Sequence, residues 1–127
     1  MSDTKTQGVR IIVRPQYVPD QSAPERNHYL FAYQITIRNE GTRTVQLISR
    51  HWIITDGEGK TEEVRGPGVV GSQPVLKPGE EFQYTSGCPL TTPVGTMHGS
   101  FQMVPVGGEP FDAAIEPFRL AVPRVLN

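Results

Sequence analysis

Glycine and proline punctuate this chain at intervals of about ten residues. Together they number 25 of its 127 residues (13 Gly, 12 Pro). Both are costly inside a helix, glycine through lost backbone freedom and proline through its missing N–H and ring clash. Long helices are therefore disfavoured, and short strands joined by turns fit the chain better.

The stretches between these residues read as strands. Val9–Arg14 places Val9, Ile11 and Val13 on one face. Pro15, Pro19 and Pro24 then take the chain from an edge strand into a loop, because proline lacks the ladder donor. From His28 to Arg38 the pattern is clearest: Tyr29, Phe31, Tyr33, Ile35 and Ile37 share a face at period two, the mark of a half-buried antiparallel strand. Thr44–Thr55 is less regular. Val45, Leu47 and Ile53 take one face, and Ile48, Trp52 and Ile54 the other, so the spacing predicts a kink or bulge. Asp56-Gly57 is a hairpin signal leading into a polar strand, Lys60–Arg65. Gly66–Pro74 reads as loop, Glu80–Ser86 as strand, Cys88–Pro93 as a connection, and Gly95–Val104 as strand. Phe111–Val122 is a last strand or pair, interrupted near Pro117. The polar residues 1–8 read as a flexible N-terminal tail, and residues 9–127 as one domain. Seven or eight antiparallel strands of this length predict an all-β fold, a two-sheet β-sandwich of immunoglobulin or fibronectin type III kind.

The formal charge is −1, with 13 acidic and 12 basic residues, so nothing draws the chain to nucleic acid or an anionic membrane. Cys88 is the only cysteine. No intrachain disulfide can form, which suits a reducing cytoplasm. Met1–Gly8 lacks the apolar core of a secretory signal, and no apolar run is long enough to span a membrane.

Gly66-Pro-Gly-Val-Val-Gly71 is a literal G-x-G-x-x-G. In a dinucleotide fold it must open a long helix whose N-terminus holds the pyrophosphate. Here Pro74 and Pro78 follow, and both would break such a helix. A Walker A reading fails too, because no Gly-Lys-Ser/Thr follows. The segment can still be an anion-binding nest of backbone N–H groups, with Arg65 and Lys77 adding charge beside Gly66, Gly68 and Gly71; a turn of conformationally special glycines is the simpler reading.

Other candidate chemistry is thinner. His28, His51 and His98 lack metal-ligand spacing. Glu62-Glu63 and Glu80-Glu81 would point to opposite faces of a strand. A Cys88–His98 nucleophile and base, with Asp112 as orienter, has no nucleophile elbow around it. No catalytic residue, metal or cofactor is expected. Tyr29, Phe31 and Tyr33 resemble a base-stacking platform, yet one face of a sandwich strand must be apolar in any case. The strand carrying His51, Trp52 and Ile54 has large apolar groups on both faces, which predicts an exposed patch and a protein partner there.

Several blocks resemble the ApaG family: Phe31–Glu40 (FAYQITIRNE), His51–Asp56 (HWIITD), Gly68–Pro74 (GVVGSQP), Pro78–Gly87 (PGEEFQYTSG), Thr92–Met97 (TPVGTM) and Phe118–Pro123 (FRLAVP). They keep their order over nearly the whole chain, from about residue 8 onward. The resemblance implies a fibronectin III-like sandwich. It implies a bacterial protein whose related domains, in F-box and polymerase-delta-interacting proteins, look like interaction modules. It also implies an association with cobalt resistance and magnesium efflux, a gene often beside one for diadenosine tetraphosphate hydrolysis, and a pyrophosphate-binding proposal for Gly66, Gly68 and Gly71. The expected function is therefore a non-catalytic protein-interaction or accessory domain. The alternative is nucleotide, pyrophosphate or diadenosine polyphosphate binding at Gly66–Gly71, with or without enzymatic activity.

Overall fold

A computed structural model describes residues 1–123. Among these residues nine strands form two antiparallel sheets. In order they are β1 (Ser2–Thr6), β2 (Val9–Tyr17), β3 (Tyr29–Asn39), β4 (Val45–Asp56), β5 (Thr61–Pro67), β6 (Val75–Leu76), β7 (Glu81–Leu90), β8 (Val94–Pro105) and β9 (Phe111–Ala121). One sheet has the order β1-β2-β3-β7. The other has β5-β4-β8-β9, with β6 pairing to β4 beyond the end of β5. The two-sheet sandwich matches the sequence expectation. The strand number exceeds it by β1 and β6.

The core is the set of inward rows. Phe31, Tyr33, Ile35 and Ile37 of β3 are buried as their period-two spacing requires. They face Trp52, Phe101 and Phe118 of the second sheet, with ring centroids 5.5 Å between Tyr33 and Trp52 and 5.9 Å between Trp52 and Phe118. Burying each such side chain is worth about 1.5–3 kcal/mol.

Two bulges explain the irregular patterns. On β4, Leu47 pairs with Met103 and Ser49 with Gln102, so Ile48 is an extra residue. The insertion flips the phase: Val45 and Leu47 point inward before it, Arg50, Trp52 and Ile54 after it. On β8 and β9, Gly99 pairs with Ile115 and Met97 with Phe118. Glu116 and Pro117 thus oppose His98 alone. Phe111–Ala121 is one strand with a bulge where the proline would otherwise leave a ladder position empty.

The expectation of a flexible tail at residues 1–8 is corrected. Ser2–Thr6 pairs with Val9–Val13 of β2 through a two-residue turn, Gln7-Gly8, in which both residues have positive φ (46° and 84°). β1 has no apolar period because its contacts are polar: Arg10 binds Asp3 at 2.6 Å, and Lys5 lies 3.5 Å from Glu40. β1 also meets β9 across the sheets, where the Ala114 N–H donates to the Thr6 hydroxyl at 3.1 Å. This stitch closes one side of the sandwich. On the other side the outer strands are β7 and β5, which belong to different sheets and do not pair. The expected connection at Cys88–Pro93 begins later, since Cys88–Leu90 continue β7 against Tyr29–Phe31.

Candidate functional site

The glycine motif lies on this second side. Gly66 and Pro67 end β5, and Gly66 pairs with Arg50. The chain then makes a two-residue turn, Val69–Ser72, with Val70 at φ +43° and Gly71 at φ +77°. Three of its N–H groups have internal acceptors, and those of the central Val70 and Gly71 do not. Gly68 N–H donates to Ile48 O, Val69 N–H to Ser72 O, and Ser72 N–H to Val69 O, at 2.8–2.9 Å. Two donors of the Gly66–Gly71 motif, those of Gly68 and Val69, are therefore occupied. β6, not a helix, follows the loop.

The cationic residues expected around the loop do not converge. Arg65 pairs with His51 on the outer face of the sheet and lies 3.7 Å from Glu63. Lys77 follows β6, which pairs at Val45 and Gln46. From Val45 to Arg50 is on the order of 15 Å of strand. Lys77 and Gly66 thus stand well apart along β4.

The expected interaction patch is also corrected. Strand alternation separates its members. Trp52 is 3 % exposed and packs edge-on against Phe101 and Phe118, so it is core. Ile54 packs partly buried beside that core. His51 faces outward, with Nε2 3.6 Å from Glu63. His98 shares that outer face, opposite Ile53. Among the described residues no group of three or more His, Cys, Asp or Glu side chains gathers as a metal site. Cys88 is buried, and that burial, with Glu62 adding, pushes its thiol up to about 11. A thiol held protonated is a poor nucleophile.

What the loop does gather is a residue that motif reasoning passed over. Arg50 shares the inward phase of Trp52 and Ile54. Its guanidinium lies flat on the Gly66 backbone, where an added Cβ would stand 2.8–3.0 Å from Nη2, Cζ and Nη1. Nη1 donates to Pro67 O and Gly68 O, both at 2.9 Å. Around it, between β7 and the loop, is a cleft of about 190 Å³ lined also by Tyr33, Tyr84, Ser86, Val69 and Val70. Burial pushes the Tyr84 phenol well above its usual range, Tyr33 adds to this, and Arg50 pulls it back. A charged residue in phase with an inward apolar row was the signal available in the sequence.

The two sheets make an immunoglobulin-like β-sandwich, with no metal cluster among its described residues and Cys88 free. The ApaG domain profile matches residues 19–105. The chain is 54% identical to Protein ApaG of Acidithiobacillus ferrooxidans and 58% identical to Protein ApaG of Pseudomonas aeruginosa, in each case over 127 residues and the whole of both chains. A crystal structure from Bordetella pertussis, described as an ApaA protein, superposes with a TM-score of 0.91 at 54% identity, covering 96% of this chain and 99% of that one. The chain therefore belongs to the ApaG family of bacterial proteins. No helix among the described residues is long and apolar enough to cross a membrane.

Proposed function

We propose that this protein is a non-catalytic binding domain that engages a protein partner by strand addition along β7. The observation that carries this reading is the free edge itself. β7 runs ten residues, Glu81–Leu90, with β3 on one side and, among the described residues, no strand on the other. Unpaired ladder groups on such an edge are a template for an incoming strand. The inward aromatics Phe82 and Tyr84, 6.2 Å apart, stay only partly buried at this edge, leaving apolar surface for an added strand to cover. The β1 and β9 edges lack this opening, because they are stitched together.

Binding of nucleotide or pyrophosphate at Gly66–Gly71 has less support, since the Gly68 and Val69 N–H groups are already used and no helix follows the loop. A part in cobalt resistance or magnesium efflux would run through the partner's chemistry.

The test is amide hydrogen exchange on the chain with and without a partner isolated from lysate. Strand addition slows exchange at alternate residues of Glu81–Leu90. Protection gained elsewhere, with β7 unchanged, removes the reading.

A further inference from the structure

Arg50 is a half-buried cation without a counter-ion. Among the described residues Arg10, Arg38 and Arg65 each have a carboxylate within 4 Å, and Arg50 has none. Its Nη1 is held by two carbonyls, and these leave the positive charge uncompensated. Nε and Nη2 donate to no protein atom among the described residues, and neither is sealed from solvent. Those two groups form the fork edge that takes a carboxylate with two parallel bonds.

The cleft selects by size and by charge. Its volume of about 190 Å³ lies below the ~300–1,000 Å³ of ordinary small-molecule sites. It fits one side-chain head group and not a nucleotide. A single guanidinium balances one negative charge, as on a carboxylate, and Arg65 is turned to the opposite face of the sheet, beside Glu63. Val70, 60% exposed, stands at the rim of this cleft, its φ of +43° being what the two-residue turn requires of a central residue.

We infer that the Arg50 cleft receives one carboxylate, carried by an acidic side chain of the segment that adds to β7. This rests on the strand-addition reading for the source of the carboxylate, though not for the site. A strand laid on β7 sends alternate side chains to the inner side, beside Tyr84 and Ser86, where Arg50 waits.

The cleft is tested without any partner. The full ¹⁵N-labelled chain is titrated with sodium acetate against sodium chloride at constant ionic strength, following the Arg50 Nε–H signal and the amides of Gly68, Val70 and Ser86. A saturable shift is expected in acetate and not in chloride. Arg50→Gln abolishes it. Because Arg50 also holds the loop, a second pair of variants leaves it in place: Val70→Glu puts a competing carboxylate at the rim and weakens acetate binding about five-fold or more, while Val70→Lys tightens it. A linear shift, or equal responses from the two Val70 variants, overturns the site. For the source, acetate at saturation is added to the captured partner complex. Release, matched by weak capture on Arg50→Gln, assigns the carboxylate to the partner. Acetate saturation without release leaves a site for a free small acid and overturns the side-chain assignment. Loss of β7 protection with acetate binding intact removes strand addition instead.

Discussion

Replacing Gly68 with alanine should be the most damaging change in the glycine motif, and the structure says by how much. Gly68 has φ +57°, and an added Cβ would stand 2.2 Å from the Ser72 carbonyl oxygen and 3.0 Å from its carbon. Both atoms are backbone, so Ser72 must move. That breaks the paired Val69–Ser72 bonds, of 2.8 and 2.9 Å. The left-handed conformation costs alanine about 1 kcal/mol, and two lost hydrogen bonds cost about 1 kcal/mol each. Val69, 1% exposed, is then levered from the core, adding up to ~2 kcal/mol. The sum is about 3–5 kcal/mol. Gly71→Ala faces open space at φ +77° and should lose only the backbone part, about 1 kcal/mol. Gly66→Ala presses on the mobile end of Arg50 and should fall between, at about 2 kcal/mol. Urea unfolding followed by fluorescence measures all three, since Trp52 is the only tryptophan and is buried. Equal losses, or a Gly71→Ala variant as unstable as Gly68→Ala, would refute the account of the loop as a scaffold.

Further outcomes follow from the same geometry. Val70→Asn should raise stability by about 1 kcal/mol, because asparagine tolerates left-handed backbone and the exposed valine side chain gives up little packing; an unchanged or lower urea midpoint counts against strain at Val70. Deleting Ser2–Thr6 should lower stability by about 2 kcal/mol or more through the lost ladder with β2, whereas a loose tail would leave the melting temperature unchanged. The Cys88 thiol is held up at about 11 from its ordinary 9.0, so it stays protonated in the folded chain at a pH where the unfolded thiol ionises. Its contribution is complete below about pH 9 and is lost as pH climbs toward 11. Cys88→Ala should flatten that alkaline decline, and a native chain that iodoacetamide labels as fast as an unfolded one would contradict the burial.

The parts of this fold that were legible in the sequence are those that one strand's own pattern determines. The row Tyr29 to Ile37 needs no partner to declare its inner face. The opposing sets on β4 predicted a bulge, because strand sides alternate without exception and only an inserted residue reconciles Leu47 with Trp52. What the pattern could not say is which set ends outside. That depends on Met103 and Gln102, the β8 residues opposite the insertion, and so the exposed patch around Trp52 was misplaced. β1 was hidden for a related reason. Its hold on the fold comes from a ladder, ion pairs and the Thr6 hydroxyl, none of which leaves an apolar period.

The glycine motif shows the same limit more sharply. Read as a string it suggests amides turned toward a phosphate. In the fold its three glycines serve other ends: Gly66 gives the Arg50 guanidinium a flat seat, Gly68 accepts a backbone angle and a contact no side chain permits, and Gly71 closes the turn. Together they lay the Pro67 and Gly68 carbonyls on Nη1 of Arg50. A loop built this way presents oxygen atoms to a cation that belongs to the protein. An anion on this side of the sandwich thus finds two kinds of donor, the free edge of that cation and the Val70 and Gly71 amides, which take no part in the loop's internal hydrogen bonds. The two readings thus predict different reporters for one titration. Carboxylate recognition moves the Arg50 Nε–H first, and a phosphate nest moves the Gly66–Gly71 amides first.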